Sequence, residues 1–352
     1  MPTSVSPRSD TEARTGGVAA ERSAQQILGT AAYRGGMREV STESRRDRSA
    51  LTRVPVWAWR LLMAQLAPGE RRRFNSEPIE SVDYHHDLDY VGDGIPSHRL
   101  DVITPHERTG ALPVYVYFHG GGWTSGDKAA LTKYCASQAQ AGMVVVNVNY
   151  RLAGRFHMQH MMHDAAACLE WVAREIGRFG GDPRRIILGG DSAGGQISAL
   201  LAASASQPEL ARHYHLGGTD RGTVIGLVQH CSAVDFSVIF APRFIMGLGF
   251  VRMLLPNRGK GQSLSAAARF LSPIEWVSPD FPPVLVTTSE QDFFYEANHN
   301  FADALREHGV EVEWLSYPRS VRNTRHTWQQ DYRYPESQEV YRRLQSFVHA
   351  LA

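Results

Sequence analysis

Buried strands alternate with helices from about residue 82 to the end of the chain, and this alternation restricts the fold more than any other feature. LPVYVYF at 112–118 and MVVVNVNY at 143–150 are continuous β-branched and aromatic runs, typical of strands buried on both faces. Four further strands are predicted, at 184–190, 223–231, 282–290 and 310–318. Helices are predicted at 164–179, 193–205, 297–308 and 336–351. Such repeated units indicate an α/β fold with a doubly wound, mostly parallel central sheet flanked by helices.

Two internal segments depart from this alternation. Residues 81–105 contain two extended runs joined through Gly92-Asp93-Gly94, which predicts a hairpin at the edge of the sheet. Residues 234–275 are rich in Phe, Met and Leu, contain Pro242 and Pro256, and lack the rhythm of a strand. The second segment therefore interrupts the sheet.

The N-terminal region has its own character. Residues 1 to about 48 contain neither Phe nor Trp and have little to bury, so we expect a disordered arm. The chain from Leu51 onward then predicts a helix that ends before Pro68-Gly69. Its apolar face is expected to hold Val56, Trp59, Leu62, Met63 and Leu66. That face is explained either by an amphipathic surface helix or by a flap over a pocket.

Composition excludes several classes of protein. The 352 residues carry 37 basic and 36 acidic side chains, so net charge gives no reason to expect binding to nucleic acid or to an anionic membrane. We find neither a secretory signal nor an apolar run that approaches the roughly 18 residues of a membrane span. Three widely spaced cysteines, at 135, 168 and 231, predict buried thiols in a reducing compartment. A cytoplasmic globular protein is therefore expected.

The strongest chemical signal is GDSAG at 190–194, a G-x-S-x-G sequence between a predicted strand and a predicted helix. In this setting the serine lies on a tight, strained turn with its Oγ exposed at the carboxyl edge of the sheet. The N-terminal end of the following helix favours an anion there. A Gly-rich phosphate loop is the alternative, but the G-x-x-x-x-G-K-[ST] pattern of such loops is missing from the sequence. Ser192 is therefore a candidate nucleophile.

A second signal is HGGGW at 119–123, directly after the strand at 112–118. Three consecutive glycines cost conformational entropy, and a reason for them is that side chains would keep a substrate carbonyl from the backbone N–H groups. We expect the amides of Gly121, Gly122 and Ala193 to form an oxyanion hole, in which each donor contributes roughly 10²–10³ in rate. His119 is expected to hold the loop in shape rather than to transfer protons.

These two motifs, together with NYRL at 149–152 and GGDP at 180–183, resemble in order and spacing the hormone-sensitive-lipase group of α/β-hydrolases. The resemblance covers about residues 80–352. It implies an α/β-hydrolase fold with a helical cap, a small-molecule ester as substrate, and neither cofactor nor metal. The chain departs from the group in two places: Gly154-Arg155 replaces the common Pro-Glu, and Gln196 stands where Asn is usual.

The resemblance also implies a division of the chain. The helical cap would consist of residues 49–80 and 234–275, and the catalytic domain of residues 81–233 and 276–352. Within the cap segment we expect an apolar wall, or simply the packed interior of the cap, from Phe236, Phe240, Phe244, Met246, Phe250 and Met253. The expected substrate contacts are Trp123, Phe236, Phe240 and Phe244.

A nucleophilic serine needs a base that is oriented by an acid, and α/β-hydrolases supply these in the chain order Ser, Asp or Glu, His. Asp292 follows the buried strand 282–290 and is the expected acid. Asp235, after the preceding strand, is the rival acid. His326 follows the last strand and is the expected base.

Two charged clusters leave alternatives open. Arg319, Arg322 and Arg325 form either a solvated loop or, if they face the pocket, a site for a carboxylate-bearing substrate. The histidine-rich run at 157–164 suggests a metal, but zinc needs three or four arranged ligands. We interpret this run as the start of a helix that Asp164 anchors.

The sequence therefore predicts a carboxylesterase-type serine hydrolase that cleaves a small or medium acyl ester through an acyl-enzyme. An amide, formamide or N-acetyl hydrolase on the same scaffold is the first alternative. A non-catalytic small-molecule receptor is the remote one, because Ser, Asp and His are all present in the sequence. A homodimer is compatible with either activity.

Overall fold

An eight-stranded sheet runs through the protein in the order β1-β2-β4-β3-β5-β6-β7-β8. The computed structural model describes residues 53–217, 221–242, 244–255 and 262–352, and the expected arm at 1–48 lies outside these residues. The strands are β1 (Val82–Asp89), β2 (Arg99–Pro105), β3 (Leu112–Phe118), β4 (Val144–Val148), β5 (Gly181–Asp191), β6 (Val224–His230), β7 (Val284–Ser289) and β8 (Val312–Tyr317).

The sheet is mostly parallel, as predicted. β1 pairs antiparallel with β2, and β2 antiparallel with β4, so the predicted hairpin forms the edge of the sheet. From β4 through β3 and β5 to β8 every pairing is parallel. The hairpin loop is held by the Asp89 carboxylate, which accepts from the amides of Val91, Gly92 and Gly94. Because parallel strands end at the same edge, the loops after β5 to β8 converge there.

Helices cover both faces of the sheet. They are α1 (Val56–Phe74), α2 (Thr132–Gln140), α3 (Met158–Glu175), α4 (Ala193–Ser206), α5 (Pro208–His213), α6 (Ser237–Phe240), α7 (Gly249–Leu254), α8 (Leu264–Ala267), α9 (Tyr295–Glu307) and α10 (Pro335–Leu351). One buried cluster joins the sheet to α3, α4 and α9, and a second joins it to α2 and α10. Along β3, Val114 and Val116 belong to the first cluster and Tyr115 and Tyr117 to the second, as the two-residue period of a strand requires.

The first helix differs from its prediction. α1 continues through Pro68 to Phe74 instead of ending before the proline. Its C-terminal end is anchored by tertiary contacts: Arg73 donates to Asp331 at 2.7 Å, and the Asn75 amide donates to the Ala129 carbonyl at 2.7 Å. The partners Asp331 and Ala129 are distant from α1 in the sequence, so the local pattern could not show that the helix continues.

The predicted apolar face of α1 is only partly correct. Val56, Trp59 and Met63 are half-buried. Leu62 and Leu66 are 46% and 44% exposed, because they lie at the solvent edge of the face. α3 begins at Met158, six residues before the predicted helix 164–179, in agreement with the interpretation of the histidine-rich run as a helix start.

The segment between β6 and β7 consists of short helices and is attached to the start of α1. The Val54 amide donates to the Ile245 carbonyl at 2.8 Å, and Val54 forms an isolated parallel bridge with Met246. The Arg53 guanidinium donates to the carbonyls of Ile239 and Ala241. The two segments expected to form the cap are therefore in direct contact. In the described parts of the chain, no helix is both long and apolar enough to cross a bilayer.

A buried histidine at the end of β6 makes the stability of this fold depend on pH. His230 is fully buried, with hydrogen bonds joining Nε2 to the Tyr134 hydroxyl at 2.8 Å and Nδ1 to the Thr287 hydroxyl at 2.6 Å. Burial lowers the pKa of His230 from 6.5 to about 3. As the pH falls, the unfolded chain therefore takes up a proton before the folded one does. The contribution of His230 is complete above pH 6.5 and is lost as the pH falls towards 3.

We expect His230 to contribute about 2 kcal/mol to the loss of unfolding free energy between pH 7.5 and pH 5.0. Urea titrations of the wild type, His230→Gln and His230→Asn at both pH values measure this loss. Either variant should lose about 2 kcal/mol less than the wild type over this interval, since the other titrating groups are shared. Equal losses in wild type and variants would contradict the assignment.

Candidate active site

Ser192 lies between the end of β5 and the start of α4. Its backbone is strained, with φ 51° and ψ −114°, a conformation that non-glycine residues rarely adopt. The neighbouring glycines make room for this turn: a Cβ on Gly194 would overlap the Phe118 carbonyl oxygen, and one on Gly195 would overlap the Ser232 hydroxyl. The strained strand-to-helix turn predicted from GDSAG is thus present.

The imidazole of His326 lies between a hydroxyl and a carboxylate. Its Nε2 is 3.0 Å from Ser192 Oγ, and its Nδ1 is 2.7 Å from Asp292 Oδ1. The loops after β5, β7 and β8 carry these three residues to one edge of the sheet. The Asp292 side chain is fully buried, whereas that of His326 is 19% exposed. An imidazole in this position can take the hydroxyl proton when Oγ attacks an electrophile.

The Asp292 carboxylate is held by its own neighbours. Oδ1 accepts from the Phe294 amide at 3.0 Å, and Oδ2 accepts from the Thr288 hydroxyl at 3.3 Å. With the carboxylate fixed, His326 is restricted to the tautomer that carries its proton on Nδ1. Nε2 is then free to act as the acceptor.

Asp235, the rival acid, has different partners. Its Oδ1 accepts from the Ser237 amide and its Oδ2 from the Asn300 amide, both at 2.8 Å. The structure therefore brings Asp292 to His326 and leaves Asp235 in a local turn.

Cys231, at the end of β6, also lies beside this group. Its Sγ is within 4.8 Å of the nearest ligand atoms of Asp292 and His326, and among the described residues only these three form a cluster that could hold a metal ion. Burial raises the pKa of the Cys231 thiol, so it is protonated and a poor metal ligand. Sequence reasoning treated Cys231 only as a buried thiol. The available sequence signal for a place near Ser192 was the position of Cys231 at the end of β6, the strand beside β5.

His119 shapes the glycine loop, in agreement with its prediction. The ring stacks on Tyr150 with centroids 4.6 Å apart, and the His119 carbonyl accepts from the Tyr150 hydroxyl at 2.7 Å. Burial lowers the pKa of His119, which keeps the imidazole neutral. Its Nδ1 is engaged with the Gly120 carbonyl at 2.8 Å.

The glycines of this loop adopt conformations that other residues avoid. Gly121 has φ 119° and Gly122 φ 60°. A Cβ on Gly121 would overlap the Ser125 carbonyl, and one on Gly122 would lie 2.6 Å from the indole nitrogen of Trp59. Both positions therefore favour glycine, because φ is positive and a Cβ would have no room.

Asp191 ties this loop to the serine turn, a role that sequence reasoning missed. Its carboxylate accepts from the Tyr117 hydroxyl at 2.6 Å, the Gly120 amide at 3.1 Å and the Gln330 amide at 2.9 Å. Burial raises the pKa of Asp191, while these donors stabilise its ionised form. One buried side chain thus links β3, β5 and the segment that follows His326.

The four expected substrate contacts lie in two different environments. Trp123 and Phe236 are buried and pack on each other, with ring centroids 5.8 Å apart. The Trp123 indole donates to Gln196 at 2.6 Å, and the Gln196 amide donates to the Leu271 carbonyl. Phe240 is half-buried against the core.

Phe244 is half-buried and lies near His326. Its ring centroid is 6.2 Å from that of Phe293 and 5.5 Å from that of Phe294. Phe293 in turn lies 4.0 Å from the His326 ring. Phe293 and Phe294 were missed from the sequence, although both directly follow Asp292.

The two charged clusters have different surroundings. Arg319, Arg322 and Arg325 are exposed, as a solvated loop would be. In the histidine-rich run, Asp164 accepts from the Arg151 guanidinium at 2.9 Å and is joined to His98 at 3.2 Å. Asp164 thus anchors the start of α3, as interpreted from the sequence.

Comparison with known proteins agrees with this architecture. The sequence profile described as the alpha/beta hydrolase fold matches residues 115–324, a span that includes Ser192 and Asp292. Carboxylesterase NlhH of Mycobacterium tuberculosis is 31% identical over 244 residues, which are 65% of this chain and 72% of that protein. Carboxylic ester hydrolase LipN of the same organism is 34% identical over 241 residues, 64% of this chain and 61% of that protein.

Solved structures show the same fold. Esterase B from Lactobacillus rhamnosis superposes with a TM-score of 0.74 at 23% identity, covering 83% of this chain and 93% of that one. The esterase from Pyrobaculum calidifontis superposes with a TM-score of 0.65 at 25% identity, covering 84% of this chain and 94% of that one. Since the profile spans more than half of the sequence, the chain belongs to the alpha/beta hydrolase family, as its hormone-sensitive-lipase-like motifs predicted.

Proposed function

We propose that this protein is a carboxylesterase-type serine hydrolase that cleaves small or medium acyl esters through an acyl-enzyme. The observation that carries the proposal is a pair of hydrogen bonds: His326 Nδ1 donates to Asp292 Oδ1 at 2.7 Å, and Ser192 Oγ donates to His326 Nε2 at 3.0 Å. The relatives named carboxylesterase and carboxylic ester hydrolase support the choice of an ester bond.

In acylation, Ser192 Oγ forms a bond to the ester carbonyl carbon while its proton passes to His326 Nε2. The carbonyl electron pair moves to oxygen, and the amides of Gly121, Gly122 and Ala193 stabilise the resulting oxyanion. When the intermediate collapses, the carbon–oxygen bond to the alcohol breaks and His326 gives its proton to the leaving oxygen. Asp292 fixes the tautomer and stabilises the imidazolium.

In deacylation, a water molecule takes the place of the alcohol. His326 removes its proton as it attacks the acyl carbon, the same amides hold the second oxyanion, and the proton returns to Ser192 Oγ as the acid departs. No cofactor takes part in the proposed reaction. The reaction is complete with the side chains and amides named above.

The surroundings of His326 favour an apolar substrate. Phe244, Phe293 and Phe294 form an aromatic wall beside the imidazole, where the leaving alcohol must lie to be protonated. Trp123 and Phe236 remain proposed substrate contacts, and their burial suits a role in supporting the wall of the site.

We assign residues 49–80 and 234–275 to a cap, and residues 81–233 and 276–352 to the catalytic domain. A homodimer stays a prediction.

Paired substrates test the reaction class. We expect p-nitrophenyl butyrate to be hydrolysed and butyryl p-nitroanilide to be resistant, since the relatives are named carboxylesterase and carboxylic ester hydrolase. Ser192→Ala should lose nearly all ester hydrolysis and all labelling by a fluorophosphonate. Preferential cleavage of the anilide would establish the amide alternative, and failure of the wild type to be labelled would favour the receptor alternative.

A panel of acyl chains tests the substrate class. Acetyl to octanoyl p-nitrophenyl esters should be cleaved with a larger kcat/KM than palmitoyl. A hemisuccinate ester should gain nothing over a butyrate of similar length, since Arg319, Arg322 and Arg325 are exposed. A hemisuccinate preference that is lost in Arg322→Ala would contradict this placement.

A further inference from the structure

Trp59, on α1, contacts the glycine loop that would form the oxyanion hole. Its Nε1 atom lies 2.6 Å from the position that a Cβ on Gly122 would occupy. The indole therefore fills the side-chain space of Gly122, a residue whose φ of 60° already favours glycine. A chain segment distant in sequence thus forms one wall of the loop.

The indole N–H is not held there by a hydrogen bond. Nε1 is buried, and within residues 53–217, 221–242, 244–255 and 262–352 it has no acceptor. A buried donor without a partner is unfavourable, so the position of the Trp59 indole against Gly122 needs another explanation. This buried donor lies against the side-chain space of Gly122, in the loop whose amides are proposed to hold the oxyanion.

Trp59 is itself positioned by the segment between β6 and β7. Its ring packs edge-on against Phe250, with centroids 6.2 Å apart, and Phe250 lies 6.4 Å from Trp123, the residue after Gly122. The hydrogen bond from Val54 to Ile245 attaches the start of α1 to the same segment. A shift of α1 or of this segment would therefore change the support under Gly122.

We propose that Trp59 is a positioning residue for the oxyanion hole: it holds Gly122 in the conformation that directs its amide at the oxyanion. The hole is then complete only when α1 and the segment between β6 and β7 lie over the glycine loop. This inference rests on the proposed function, because it assigns a role to the same amides. It couples the cap to the chemical step rather than to substrate binding alone.

Steady-state kinetics of Trp59→Ala and Trp59→Phe separate these two effects. With p-nitrophenyl acetate and butyrate, Trp59→Ala should lower kcat by about 10- to 100-fold, the scale of losing much of one oxyanion donor, while KM changes little. Trp59→Phe keeps a ring against Gly122 and should lose less. Trp57→Ala is the matched control, since Trp57 is on the same helix and 70% exposed, and it should behave as the wild type.

Inhibition by a trifluoromethyl ketone gives a further test, because the inhibition constant would not change if the role of Trp59 were purely structural. The serine adds to this ketone to form an oxyanion in the same hole, so the inhibition constant should rise in Trp59→Ala by the factor by which kcat/KM falls. An inhibition constant that stays at the wild-type value would overturn the proposal. So would a variant in which KM rises while kcat is unchanged. Thermal unfolding identifies a variant that has simply lost its fold, and Trp59→Phe then carries the test.

A double-mutant cycle tests whether Trp59 acts through Gly122. Gly122→Ala places a Cβ against the indole, so in the wild type it should lower kcat more than it does in the Trp59→Ala background, where that space is free. Additive losses would overturn the coupling. If the wild type cleaves no ester, the proposed function fails and this inference with it. If the wild type cleaves esters and depends on Ser192 but not on Trp59, only this inference fails.

Discussion

Ser192→Ala is expected to lower kcat by roughly 10⁴–10⁶-fold, and His326→Ala by a similar factor. The hydroxyl is a weak nucleophile without the imidazole 3.0 Å away, and the imidazole has no proton to take without the hydroxyl. Removing both should therefore cost little more than removing either one. The residual activity would come from the oxyanion amides and from substrate binding.

Steady-state assays with p-nitrophenyl butyrate measure these losses, with active-site titration of each preparation. Ser206→Ala and His299→Ala are matched controls, because the first lies at the far end of α4 and the second is an exposed residue of α9. Additive losses in the double variant would mean that Ser192 and His326 do not act as one unit.

Asp292→Asn is expected to lower kcat by about 10⁴-fold while the fold is retained. An asparagine amide that donates to Nδ1 of His326 forces the ring proton onto Nε2, and that atom can then no longer accept the proton of Ser192. The change replaces one oxygen by nitrogen in a fully buried side chain, so the packing around it is unchanged. The loss is therefore expected in kcat rather than in KM.

Asp235→Asn is the control for this experiment and should retain kcat within a few-fold, because the partners of Asp235 are Ser237 and Asn300. Thermal unfolding of both variants separates a loss of stability from a loss of catalysis. If Asp235→Asn lost as much activity as Asp292→Asn, Asp292 could no longer be assigned as the acid that orients His326 in preference to Asp235.

Most of the sheet could be predicted because its signals are local. The runs at 112–118 and 143–150 correspond to β3 and β4 within one or two residues, since β-branched and aromatic residues that are buried on both faces have few alternatives to a strand. The end of α1 was predicted poorly. Arg73 and Asn75 anchor α1 to residues that are distant in the sequence, and a local pattern carries no information about such contacts.

The candidate site could be predicted only in part. Ser192 and the three glycines were recognisable because a strained turn and a glycine loop each demand particular residue types at fixed spacing. Asp191, Phe293 and Trp59 were not, because their parts in the site depend on neighbours from other elements. Nothing within a few residues of Trp59 marks it as a neighbour of Gly122.

The order of residues along the chain by itself determined the strands, the helices that connect them and the candidate nucleophile with its loop, because hydrophobic period and turn chemistry act over a few residues. The tertiary structure decided which carboxylate meets His326, which aromatic rings surround it, and that α1 lies against Gly122. Those contacts follow from the strand order β5-β6-β7-β8 and from the packing of α1 on the segment between β6 and β7. They join residues up to about two hundred positions apart, and only the packed chain brings such residues within hydrogen-bond distance.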